Sequence, residues 1–395
     1  MVGIVLLKNG SVFAPNPLGK KDILVAGGMI VAIEDSIELP SKLYVKVIDC
    51  TDLIITPGLI DCHAHIAGAG GEGGPKTRTP ELPLSEMLKG GITGVIGCLG
   101  TDGMTRSVES VLMKAKALRE EGVSAWILTG AYQVPIISIT GDIARDICVI
   151  EECIGIGEVA VSDHRSSCPT DTELIRIAQH ARVAGMLSGK AGIVNLHMGD
   201  MPEGKNHFQP IYNALCSSRL PITQFIPTHI NRNEDIFEQA KEYGKMGGYL
   251  DITASSYPYY PQYETKPSKA IKLLMDAGVP LSNITISSDG GGSLPDFDAE
   301  GNLISLLVGD MASIYREMKE AVLQDGLAIE LALQPVSSNV ASIFKLKGKG
   351  NIKEGYDADI LMLSSQDLSI KHLLSRGEVL IEDGVFTVLG TFEKR

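Results

Sequence analysis

Apolar and polar positions follow two patterns along this chain, and the change comes near Leu53. Before it, apolar residues fall in short runs or alternate with polar ones, so residues 4–7, 22–26, 29–33 and 46–49 predict strands. Asn9-Gly10 and Gly27-Gly28 mark turns between them. Little of the 3.6-residue helical period is present, and the segment reads as a small β unit. From Leu53 onward, apolar runs alternate with longer amphipathic stretches. Strands are predicted at 59–65, 94–99, 125–130, 158–162, 193–197, 223–229, 249–254 and 284–289. Helices are predicted at 104–121, 171–186, 233–244 and 268–277, with Asp171 and Asn233 as N-caps.

Continuous apolar runs are what strands covered on both faces require. Eight such alternations over roughly 250 residues match the size of a (β/α)8 TIM-type barrel. A doubly wound open sheet is the second choice, and the lack of a Gly-rich phosphate fingerprint weighs against it. Helices follow at 311–324, 328–333 and 341–344. Strands return with the Asp357-Ala358-Asp359 step into 360–363 and a closing hairpin, 380–383 and 385–388, turning at Asp383-Gly384. The expected class is α/β. Residues 1–55 and 345–395 form one discontinuous β-sandwich domain, and residues 56–344 form the barrel inserted between them.

Composition narrows the functions. The 395 residues are 44% hydrophobic and 21% charged, as in a folded globular chain. The net charge of -13 leaves no basic surface for nucleic acid. No apolar run is long enough to span a bilayer, so no membrane role is expected. The first residues read as a strand, not as a cleavable signal. Seven scattered cysteines suggest no disulfide framework. Cys62 and Cys98 lie in apolar strand-like runs and are expected as buried free thiols, consistent with a reducing cytoplasm.

Candidate chemistry sits where predicted strands end. His63 and His65 are one residue apart, so on a strand they share a face and can reach one metal ion. His197, His229 and Asp289 end the fifth, sixth and eighth barrel strands. In a barrel these ends form one face, and four histidines with an aspartate there point to a metal site. Tyr132, Arg165 and Arg232 follow the third, fourth and sixth barrel strands. Arginine forks match carboxylates, so the pair suggests a substrate with more than one carboxylate. Alone, each arginine is as readily a surface ion pair, and Tyr132 a packed rim aromatic.

His63-x-His65, His197, His229 and Asp289 match the metal-ligand pattern of the amidohydrolase superfamily, and Gly355-Tyr-Asp-Ala-Asp-Ile resembles its companion β domain. More narrowly, the chain resembles the isoaspartyl dipeptidases over nearly its whole length. The residues that carry this are Gly70-Gly-Glu72-Gly-Gly74, Leu99-Gly-Thr101-Asp-Gly103, Ser162-Asp-His-Arg165-Ser166, His197-Met-Gly-Asp200, Thr228-His-Ile-Asn-Arg232 and Ser288-Asp289-Gly-Gly-Gly-Ser293.

The resemblance implies a metallo-dipeptidase that uses a metal-activated hydroxide on β-aspartyl dipeptides. It implies two divalent ions, zinc, one held by His63 and His65 and the other by His197 and His229. Asp289 would ligate the first ion and move the proton from water to the leaving amine. Tyr132 would stabilise the oxyanion, and Glu72 would pair with the substrate ammonium. Arg165, Arg232 and Ser293 would bind the two carboxylates, and Thr101 would line the pocket. A homo-oligomer as large as an octamer is also implied. Other readings are a dihydroorotase-like cyclic amidase, an N-acyl-amino-acid deacylase, or a non-catalytic scaffold with a vestigial site.

One position departs from the pattern. The family usually carries a carboxylated lysine on the fourth strand, bridging both metals. Here that place is Glu158, in Gly157-Glu158-Val159-Ala160. A glutamate keeps the charge and two oxygens but is shorter by three bonds, about 3–4 Å. Glu158 is expected to bridge. The alternative is a barrel-lining carboxylate beside a single tightly held metal.

Overall fold

The computed structural model describes residues 3–199, 204–297 and 302–394. Met1, Val2 and Asp200, the last residue of the His197 stretch, lie outside them. Five strands open the chain: β1 (Ile4–Phe13), β2 (Pro17–Ala26), β3 (Met29–Glu34), β4 (Val45–Asp49) and β5 (Leu53–Pro57). Gly27-Gly28 turns β2 into β3 as expected. Asn9-Gly10 does not turn the chain. It lies inside β1, where the register shifts between Leu7 and Gly10, so the turn-like dipeptide makes a bulge.

Eight parallel strands follow: β6 (Leu59–Ala64), β7 (Ile92–Gly97), β8 (Ser124–Thr129), β9 (Cys153–Val161), β10 (Ile193–Met198), β11 (Phe225–Thr228), β12 (Leu250–Thr253) and β13 (Ile284–Ser287). The first six form one sheet in chain order, and β12 pairs with β13. Backbone bonds span the two gaps. Asp289 N donates to His63 O (3.0 Å), His65 N to Gly290 O (2.8 Å), and Ile230 N to Asp251 O (3.3 Å). Nearly every residue of these strands is buried, which explains their unbroken apolar runs. Amphipathic helices pack over them, among them Val108–Glu120, Asp171–Ser188, Glu234–Lys245 and Pro267–Asp276.

Local details differ from the expectations. The first of those helices starts at Val108, not 104, because the Ser107 side chain accepts from Ser110 N. Asp171 is not a cap. Thr170 caps its helix in a reciprocal capping box with Glu173. Asn233 does cap, accepting from Ile236 N. Glu158 does not begin its strand but lies deep within β9. The hairpin β14 (Ser293–Phe297) and β15 (Leu303–Val308) was not anticipated.

The chain returns through β16 (Ile360–Ser364), β17 (Ile370–Ser375), β18 (Glu378–Glu382) and β19 (Val385–Phe386). These join the opening strands in one nine-stranded sheet ordered β19-β18-β17-β16-β5-β1-β2-β3, with β4 beside β1. β5 and β16 run antiparallel, Ile55 opposite Met362, over a separate core that includes Leu7, Ile23, Ile30 and Leu374. Lys349 fastens the two units. Its buried ammonium lies 2.7 Å from Asp357, Asp359 and the Ser124 hydroxyl. Only Gly58 separates β5 from β6, and a Cβ there would clash with the Thr93 side chain.

Candidate metal centre and active site

β6 ends on the first histidines. His63 and His65 are buried, with ring centroids 5.4 Å apart. From β9, Glu158 reaches between all four histidines. Its Oε1 is 3.4 Å from His65 Nε2, and its Oε2 is 3.4 Å from His63 Nε2, 3.0 Å from His197 Nδ1 and 3.6 Å from His229 Nε2. Two groups of potential ligand atoms result, His63 with His65, Cys98 and Glu158, and Glu158 with His197 and His229. Glu158 belongs to both. Burial opposes its charge, yet His63 and His197 hold the carboxyl well below its ordinary range.

Asp289 closes the first group, its Oδ1 3.1 Å from His65 Nε2. Burial works against its ionised form too, but His65, His229 and His63 lower the carboxyl to about 2. That Oδ1 is buried without a hydrogen-bond partner. Burial, with Arg232 and His197 nearby, pushes His229 down to about 3, so its ring is a neutral donor. His229 and Asp289 both take left-handed backbone conformations, φ 63° and 56°, uncommon for side-chain-bearing residues. Outer partners orient the rings. Thr253 Oγ1 lies 2.6 Å from His229 Nδ1, and Asp163 Oδ2 lies 2.9 Å from His197 Nε2.

Above these groups opens a cavity of about 370 Å³, lined by His65, Tyr132, Arg165, His197, Arg232 and Asp289, with Thr101 and Ser293 also on its wall. The Tyr132 hydroxyl is 2.8 Å from His197 Nδ1, and burial holds its pKa well above 10. Arg232 Nη1 donates to Met198 O at 3.0 Å. Arg165 grips Asp163 with two nitrogens, at 3.0 and 2.8 Å, and lies over the Tyr132 ring. Glu72 sits behind the wall. Its Oε1 accepts from Thr101 (3.1 Å) and Ser293 (2.8 Å), and its Oε2 is buried with no partner.

All twelve expected site residues thus lie in or against one cavity. Three features were not read from the sequence. Asp163 gave no signal of its role beyond its place beside Arg165. Cys98 could have been noticed as a polar group just past a strand end. The cavity's outer wall takes Tyr260 and Tyr263 from a loop and Leu294 and Pro295 from β14, segments without periodic pattern.

The amidohydrolase family model matches residues 54–380, which takes in all of β6 to β13 and the whole ligand set. The chain belongs to the amidohydrolase family. As an amidohydrolase it is similar over its full length to the β-aspartyl dipeptidase of Fervidobacterium islandicum AW-1 solved in complex with β-Asp-Leu. The two are 41% identical, each chain is covered to 100%, and the TM-score is 0.93. It shares its fold with the dihydropyrimidinase of Brevibacillus agri, at 16% identity, TM-score 0.69 and coverage of 98% and 96%. Allantoinase of Salmonella choleraesuis is 24% identical over 94% of this chain and 90% of its own length. The donor set fits a divalent metal. It gathers buried imidazoles, carboxylates and an orphaned carboxylate oxygen on one point, a costly arrangement without a cation.

Proposed function

We propose that this amidohydrolase is a metal-dependent β-aspartyl (isoaspartyl) dipeptidase. The observation that carries the reading is full-length similarity, at 41% identity, to an enzyme seen with β-Asp-Leu. On this reading the eight parallel strands form a (β/α)8 barrel. The terminal strands, residues 1–55 and 345–395, form the companion β domain.

Two divalent ions, zinc by the nature of the donors, would be held by His63, His65 and Asp289 on one side and by His197 and His229 on the other, with Glu158 between. Bound there, they would lower the pKa of water and polarise the scissile carbonyl. Asp289, whose Oδ1 stands beside the imidazoles of His65 and His63, is placed to take the water's proton and return it to the leaving amine. Tyr132 keeps its proton and can donate to the developing oxyanion. A β-aspartyl dipeptide carries one ammonium and two carboxylates. The free Oε2 of Glu72 suits the ammonium, and Arg165, Arg232 and Ser293 suit the carboxylates. An α-peptide without an acidic side chain would leave a buried guanidinium unpaired, and α-Asp-Leu carries the same three charges in a different arrangement about the scissile bond, which disfavours both.

The test is hydrolysis of β-Asp-Leu, α-Asp-Leu and N-acetyl-leucine by purified, metal-analysed protein. Turnover of β-Asp-Leu alone is expected. Equal turnover of N-acetyl-leucine would move the reading to a deacylase, and inactivity on all three with metal bound would sink it.

A further inference from the structure

We propose that Cys98 is a metal ligand, its Sγ joining His63, His65 and Glu158 around one ion of the centre. This rests on the metal half of the reading above and not on the choice of substrate.

Cys98 follows β7 directly, and its N donates to Ala64 O at 3.0 Å, which fixes it beside the strand that carries the histidines. Its Sγ lies 3.7 Å from His63 Nε2 and 4.0 Å from His65 Nδ1. One donor atom from each of Cys98, His63, His65 and Glu158 falls within 4.8 Å of the others, and all four residues are buried. Neighbouring ligands around one zinc of four or five coordination, at about 2.0–2.3 Å, stand roughly 3–4 Å apart. The cluster is close to that spacing before any ion draws it in.

The other buried thiols have different surroundings. Cys50 lies against Ile48 O and Met362 Sδ, Cys153 against Gly155 O, and Cys62 against Asp251. Cys98 also reaches a backbone carbonyl, Ala64 O at 3.8 Å, but of these four thiols it alone faces imidazoles, those of His63 and His65. The need for it follows from Glu158. That carboxylate is divided between two ligand groups, one oxygen toward His65 and the other toward His197. A dication in a buried site requires compensating anions, and thiolate is a favoured zinc donor. Binding is a ligand exchange with no redox step. The S–H bond breaks, its proton leaves to solvent, and a sulfur–metal bond forms.

X-ray absorption of the full-length zinc-loaded protein tests this. A sulfur scatterer at about 2.3 Å is expected. The cobalt-substituted protein should also show a thiolate-to-cobalt charge-transfer band. Cys98→Ser should lose both signals and bind zinc at least about tenfold more weakly. Cys216→Ser, altered at an exposed thiol, should keep both. Metal-loaded wild type with only nitrogen and oxygen scatterers would overturn the proposal, as would a sulfur signal that survives Cys98→Ser. If that variant does not fold, the wild-type spectrum decides. Failure to cleave β-Asp-Leu leaves these spectra unchanged, so the two readings fail separately.

Discussion

Glu158 Oε1 lies 3.4 Å from His65 Nε2 while its Oε2 lies 3.0 Å from His197 Nδ1, so one side chain touches the histidines of β6 and of β10. A glutamate needs no carboxylation to carry its charge. Metal uptake and activity should therefore be independent of bicarbonate and CO2. Two metals per chain are expected in wild type and fewer in Glu158→Gln, by metal analysis after dialysis. One ion per chain with full activity would defeat the bridging role.

Asp289→Asn keeps the shape of the side chain but not its basicity. A fall in kcat of roughly 10²–10⁴-fold is expected from loss of the proton carrier. The measurement is kcat at matched metal content, and activity near wild type would remove Asp289 from the proton path.

Tyr132→Phe removes a hydroxyl 2.8 Å from His197 and no bulk. Loss of one oxyanion donor predicts a fall of roughly 10²–10³ in kcat with little change in KM. A change confined to KM would make Tyr132 a binding residue only.

Glu72 is tested by comparing β-Asp-Leu with its analogue lacking the α-amino group. Wild type should prefer the ammonium substrate. Glu72→Gln should lose roughly 2–5 kcal/mol of that preference in kcat/KM, as when one partner of a buried charge pair is removed. An unchanged preference would place the ammonium elsewhere.

Glu317 offers a stability test away from the centre. It is buried, accepts from Ser268 N at 3.1 Å, and burial raises its carboxyl from 4.5 to about 7. Its folded pKa is the higher one. Its contribution is therefore fully present below about pH 4.5 and lost as pH rises through about 7, an effect of roughly 3 kcal/mol. Between pH 5 and 8, Tm should fall more for wild type than for Glu317→Gln. Parallel curves would contradict the shift.

Most of the site was legible because strand-end polar residues in a repeating α/β pattern converge on one face. His63, His65, His197, His229 and Asp289 each followed an apolar run, and the structure brings them together. Less legible was whatever depends on packing across the chain. Arg165 reads as a free carboxylate binder, but its fork is shared with Asp163. Thr170, not Asp171, caps its helix, since a hydroxyl and an acid one residue apart compete for the same place. The hairpin β14–β15 has no strict alternation, so periodicity did not mark it.

The pairing of Ile55 with Met362 also bears on how the molecule is made. Strand β5, which leads straight into the histidines of β6, has β1 along one edge, but its other neighbour lies among residues synthesised near the other end of the chain. Such long-range pairing pays its loop-closure entropy late and slows folding. On the ribosome the barrel strands emerge while β5 still has one open edge, which closes only when β16 arrives.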